Sequence, residues 1–118
     1  MIEQIAVDQL LGVMAEQSVV LIDVREPWEF DSGHVPAAQL LPMSLVPGNV
    51  DRFRSERPVF VICRSGNRSG QVVQWLAHQG IHAINVAGGT ADWQARGYPL
   101  ETPATAATAA VPAERTLS

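Results

Sequence analysis

Cys63 is the only cysteine of the chain, and it stands in the stretch Val59-Phe60-Val61-Ile62-Cys63-Arg64-Ser65-Gly66-Asn67-Arg68-Ser69-Gly70. An apolar run ends, a thiol follows, a short polar loop turns, and a helical pattern begins. A sulfhydryl attacks as the thiolate, and thiolates form where cations and helix N-termini stabilise them. Arg64 and Arg68 supply two guanidinium charges. The loop and the first helical turn supply backbone N–H groups that lack helical partners and attract anions. Gly66 accepts backbone angles that most residues resist, and Asn67 tolerates similar ones. Such surroundings commonly lower a cysteine pKa from ~8.5 to around 3.5–7.5. The same donors would hold an anionic substrate against the sulfur.

Each residue also has a plainer reading. A lone cysteine behind an apolar strand often serves only packing. Packing, however, requires neither arginines nor a Gly-Asn turn nor a helix start directly behind the thiol. Arg64 fits a solvated side chain as well as a substrate ligand. Arg68 closes the loop, which favours an inward role. Ser65 and Ser69 suit turn and capping positions, and for Ser69 capping is the preferred reading.

A loop of this kind needs a strand in front and a helix behind, and both patterns are present. Val59-Phe60-Val61-Ile62 reads as a buried strand. The helix is expected from about Arg68 to Gln79, with Val72, Trp75, Leu76 and Gln79 on adjacent turns and Gly80 as its stop. Upstream, Val7, Leu10, Leu11 and Met14 follow the i, i+3, i+4, i+7 rule, with Asp8 in the first turn. Ser18 to Ile22 reads as a strand ending at Asp23. Pro27 suits the first position of a short helix through Trp28, Glu29 and Phe30, ended by Gly33. Residues 36–58 hold Pro36, Pro42, Pro47 and Pro58, which leaves room for a short strand near Leu40-Leu41 and one short helix near Val50–Phe53. Ala83 to Val86 is a last short strand, and Gly88-Gly89 turns it into a helix that holds Trp93 and closes at Gly97. Strands alternating with helices indicate an α/β fold with a parallel sheet. In such sheets ligands bind beyond the carboxyl ends of the strands, where Cys63 lies.

The 118 residues suggest one domain over 1–100. Residues 101–118, rich in Ala, Thr and Pro, read as a disordered tail. Eight basic and twelve acidic residues give a net charge of −4, which argues against nucleic acid and acidic membranes as partners. Apolar runs are too short to span a bilayer, and the N-terminus lacks a secretory pattern, so a cytoplasmic location is expected. One cysteine forms no internal disulfide and disfavours a thiolate zinc site. His34, His78 and His82 show no metal-ligand spacing. No metal and no cofactor are expected.

Three stretches together resemble the rhodanese family. Leu21-Ile22-Asp23-Val24-Arg25-Glu26-Pro27-Trp28-Glu29-Phe30, with Gly33-His34-Val35-Pro36-Ala37-Ala38, looks like its N-terminal signature. Cys63-Arg64-Ser65-Gly66-Asn67-Arg68-Ser69 looks like its active-site loop. Asn85-Val86-Ala87-Gly88-Gly89-Thr90-Ala91-Asp92-Trp93 looks like its C-terminal signature. The match runs from about Ile5 to Leu100, and Ala37 stands where the family usually has glycine. The resemblance implies a five-stranded parallel sheet with helices on both faces. It implies that Cys63 carries a transferable sulfur as a persulfide, with Arg64, Ser65, Gly66, Asn67 and Arg68 cradling the substrate. Asp23, Arg25 and His34 belong to the first signature. A salt bridge fixing the loop is the favoured reading for Asp23 and Arg25, and a hydrogen-bonded structural histidine for His34. Trp93 is expected in the core.

The expected reaction is a double displacement. Cys63 takes the outer sulfur of a small anionic donor such as thiosulfate, and passes it to cyanide or a thiol, with a thioredoxin-like protein as one candidate acceptor. No second cysteine resolves the persulfide, so the acceptor comes from outside the chain. A cysteine-dependent phosphatase or arsenate reductase is the first alternative. It is disfavoured because the four residues between Cys63 and Arg68 make a loop one residue shorter than phosphatases carry. A sulfur-accepting module fed by a protein donor is the second alternative.

Overall fold

The computed structural model describes residues 2–104. Five strands, β1 (Gln4–Ile5), β2 (Val20–Asp23), β3 (Gln39–Leu40), β4 (Val59–Ile62) and β5 (Ile84–Val86), form one sheet in the order β1-β5-β4-β2-β3. Every pairing is parallel. It is accompanied by the α-helices α1 (Val7–Glu16), α2 (Pro27–Asp31), α3 (Asn67–His78) and α4 (Gly89–Ala95). The parallel sheet and the helical connections between its strands agree with the sequence reading.

Side chains alternate across each strand and divide the core in two. Val20, Ile22, Val59 and Val61 face the side covered by Val72, Val73 and Leu76 of α3. Leu21, Phe60, Ile62, Ile84 and Val86 face the side covered by Val7 and Leu10 of α1 and Trp93 of α4. Trp93 is buried, its ring meets Tyr98 edge-on, and its Nε1–H donates to the Pro99 carbonyl at 2.7 Å. α2 starts at Pro27, and the Glu29 side chain accepts the Glu26 N–H at 3.0 Å, half of a capping box.

Several expectations needed adjustment. β1 carried no periodic signal, because it is two residues long with a polar first member. Where one short helix near Val50–Phe53 was expected, residues 43–53 hold the 3-10 segments Met43–Leu45 and Pro47–Phe53, and the second is kinked at Asn49, which leaves the helical region at φ −138° and ψ 33°. On α1, Leu11 is exposed and Val13 shares the buried face with Met14. On α3, Val73 is buried where Gln79 was expected, because the helix already ends at His78. Glu101, at the start of the expected tail, pairs with His34 through reciprocal backbone bonds of 3.0 and 2.8 Å. The rest of that expectation, over 105–118, lies outside the described residues.

Candidate active site

β4 lies between β2 and β5, so Cys63 leaves the sheet in the middle of its carboxyl edge. The loops after β2 and β5 must emerge on either side of it, because neighbouring strands are parallel. This topology brings together three segments that are far apart in sequence.

Cys63 is 1% exposed. Its Sγ accepts the Gly66 N–H at 3.1 Å and lies 3.2 Å from the Ser69 hydroxyl. Burial pushes the thiol pKa up and is the largest single influence. Hydrogen bonds from the Ser69 side chain and from the backbone of Ser69, Gly66 and Ser65 together outweigh it, and hold the thiol below its ordinary value. Gly66 makes this geometry possible. It is the N-cap of α3 at φ 101°, and a Cβ there would press on the Gly88 nitrogen at 3.2 Å.

Two elements behind the loop aim its amides. From α4, the Thr90 N–H and hydroxyl donate to the Cys63 carbonyl at 2.9 and 3.1 Å, and the Ala91 N–H donates to the Arg64 carbonyl at 2.9 Å. A trans peptide points its N–H opposite to its C=O. Anchoring these carbonyls on α4 therefore turns the N–H groups of Arg64 and Ser65 away from α4. From β5, Asn85 sits on the α3 side of the sheet, between Ile84 and Val86, which face the other way. Its Nδ2 donates to the Gly66 carbonyl at 3.2 Å, and its Oδ1 lies 2.6 Å from the Ser69 oxygen, so the single Ser69 hydroxyl proton is divided between this oxygen and the Cys63 sulfur. The Gly66 carbonyl only accepts, so the Asn85 amide has one orientation.

The other expected residues fall into distinct places. Arg64, Ser65 and Asn67 are exposed. Among the described residues Arg64 has no side-chain hydrogen bond or ion pair. Arg68, expected to face a substrate, has a carboxylate partner of its own. Its Nη1 and Nη2 donate to the two Glu29 carboxylate oxygens at 2.7 and 2.9 Å. This pairing lowers the Glu29 pKa from 4.5 to about 2 and raises that of Arg68. Ser69 is no cap. It lies inside α3, buried, and works between Cys63 and Asn85. Asp23 and Arg25 form the buried ion pair favoured from sequence, at 2.9 Å, and Arg25 also donates to the Gly33 carbonyl. His34 stacks flat on Phe30 with centroids 3.7 Å apart, and its Nδ1 bonds the Phe30 carbonyl at 2.9 Å. Sequence reading passed over Glu29, Asn85 and Thr90. Only Asn85 left a trace, as an amide in an otherwise apolar strand.

Strand β4, the amide-lined turn, α3 and the buttress of α4 place a hydrogen-bonded cysteine at the carboxyl edge of a parallel sheet. More specifically, a rhodanese-like domain model matches residues 6–96, and the chain belongs to that family. It is 35% identical over 105 residues to a sulfurtransferase of Allochromatium vinosum, covering 87% of this chain and 98% of that protein. It is 34% identical over 87 residues to a putative sulfurtransferase of Bacillus subtilis, covering 74% of this chain and 84% of that one. Among solved structures, a rhodanese-like domain protein from Staphylococcus aureus superposes with a TM-score of 0.76 at 35% identity, covering 86% and 98%. A rhodanese-related protein from Thermoplasma volcanium gives 0.77 at 28% identity, covering 84% and 97%. No helix among the described residues is long and apolar enough to cross a membrane.

Proposed function

We propose that this protein is a sulfurtransferase that carries sulfane sulfur on Cys63. The observation that supports this most is the set of hydrogen bonds on Cys63 Sγ, which lower the thiol pKa despite near-complete burial. The Cys63 thiolate attacks the outer sulfur of a donor such as thiosulfate or a persulfide. The donor's S–S bond breaks, its remainder leaves with the electron pair, and Cys63 becomes an anionic persulfide. An external thiophile, cyanide or a thiol, attacks the outer sulfur and returns the Cys63 thiolate. The added sulfur lengthens the side chain by about 2 Å, and the loop amides stabilise its charge. Arg64, exposed and without an ion pair among the described residues, is the cation available there to a donor. The relatives' names support the reaction class.

Intact-protein mass spectrometry after incubation with a sulfane donor tests this. One added sulfur atom is expected on the wild type and none on Cys63→Ser. A wild type left unmodified by thiosulfate and by small persulfides alike contradicts the proposal.

A further inference from the structure

Among the described residues three guanidinium groups surround or flank the cradle, and two are already neutralised. Arg25 is paired with Asp23 inside the fold. Arg68 is gripped by both oxygens of Glu29, whose side chain is 10% exposed. Glu29 is fixed in turn by its own helix, because Oε1 also accepts the Glu26 N–H. The pair is therefore pre-set by the α2 capping geometry. With Cys63 ionised, Arg64 is the one compensating cation that remains beside the loop among the described residues.

Resting on the sulfurtransferase reading, we infer that Glu29 selects donors by charge: by neutralising Arg68 it fits the cradle to sulfane donors with at most one negative charge, such as organic persulfides or thiosulfonates, in preference to dianionic thiosulfate. A thiolate meeting a dianion needs more positive charge than the amides and Arg64 supply. A monoanion meets half that repulsion. Both donors undergo the same step. Thiosulfate plus the thiolate gives the Cys63 persulfide and sulfite, and methanethiosulfonate gives the same persulfide and methanesulfinate. In each case one S–S bond breaks, one forms, and total charge is conserved.

The test compares kcat/KM for thiosulfate and for methanethiosulfonate, with cyanide as acceptor and thiocyanate as product. Wild type is expected to favour methanethiosulfonate. Glu29→Gln uncovers the Arg68 charge and should raise the thiosulfate-to-methanethiosulfonate ratio about tenfold, the size of one uncompensated charge within about 12 Å at intermediate dielectric. Arg68→Gln leaves the Glu29 charge uncovered and should lower the ratio by a similar factor. Glu29→Asp keeps the charge and should keep the ratio within about threefold. A ratio that does not move, or an equal loss with both donors in Glu29→Gln, makes Glu29 a strut and overturns the inference. A wild type that turns over neither donor and takes up no sulfur sinks the underlying sulfurtransferase reading instead.

Discussion

Burial by itself would keep the Cys63 thiol protonated, and the difference is made by a few hydrogen bonds. Ser69 is the side chain among them. Because its one proton is shared with Asn85, Ser69→Ala should slow alkylation of Cys63 by iodoacetamide near neutral pH by about threefold, part of the worth of a hydrogen bond to a charged group. An unchanged rate would remove Ser69 from the site. This role was hidden in the sequence, where a serine just behind a loop reads as a cap. Gly66 takes the capping position, and only the fold shows that the hydroxyl faces a sulfur three residues before the cap. Ala37 was legible as a departure from the family's usual glycine. It adopts φ 74°, the left-handed region that costs a side-chain-bearing residue about 1–2 kcal/mol. Ala37→Gly should stabilise the protein by about 0.5–1 kcal/mol, after allowance for glycine's greater freedom when unfolded. Urea unfolding checks this, and a loss of stability would refute it.

At the scale of elements, the site depends on α4 as much as on the loop it supports. Gly89 stands at φ 58°, and a Cβ there would collide with the Cys63 carbonyl oxygen and lie 2.7 Å from the Arg64 carbonyl carbon. Backbone cannot yield as a flexible side chain can. Gly89→Ala should cost about 2–4 kcal/mol and weaken sulfur loading with it. Gly12, inside α1 with nothing within 4 Å of a built Cβ, gives the opposite expectation: Gly12→Ala should gain about 0.5–1 kcal/mol. Equal effects at the two sites would contradict the packing argument. The Gly88-Gly89 turn was readable as a strand-to-helix junction, but not as the floor of the site. That requires knowing that β5 lies beside β4. The apolar runs of β2, β4 and β5 announced themselves by composition. β1 did not, since two residues carry no period.

For the molecule as a whole, the order β1-β5-β4-β2-β3 makes three separated motifs neighbours, and the Glu29–Arg68 pair ties α2 to α3 across that edge. No local pattern encodes a pair between residues 39 apart, so the Glu29 partner of Arg68 was not legible in the sequence. The tie has a pH signature. Because the Glu29 pKa is depressed from 4.5 to about 2, its contribution is complete above pH 4.5 and disappears as the pH falls through about 2. Glu29→Gln should be less stable than wild type by about 2 kcal/mol near neutral pH, discounted for the partly exposed Arg68. In urea titrations the two curves should converge as the pH approaches about 2. A gap that is constant across that window would mean the pair adds no pH-linked stability.

The loop and α3 favour ionisation of a buried thiol, and the pH dependence of Cys63 alkylation in the intact protein measures this most directly. The rate should rise with a midpoint clearly below the ~8.5 of an ordinary cysteine, and Ser69→Ala should move that midpoint upward. A midpoint at or above the ordinary value, unaffected by Ser69, would mean that burial prevails and that the site does not make a nucleophile.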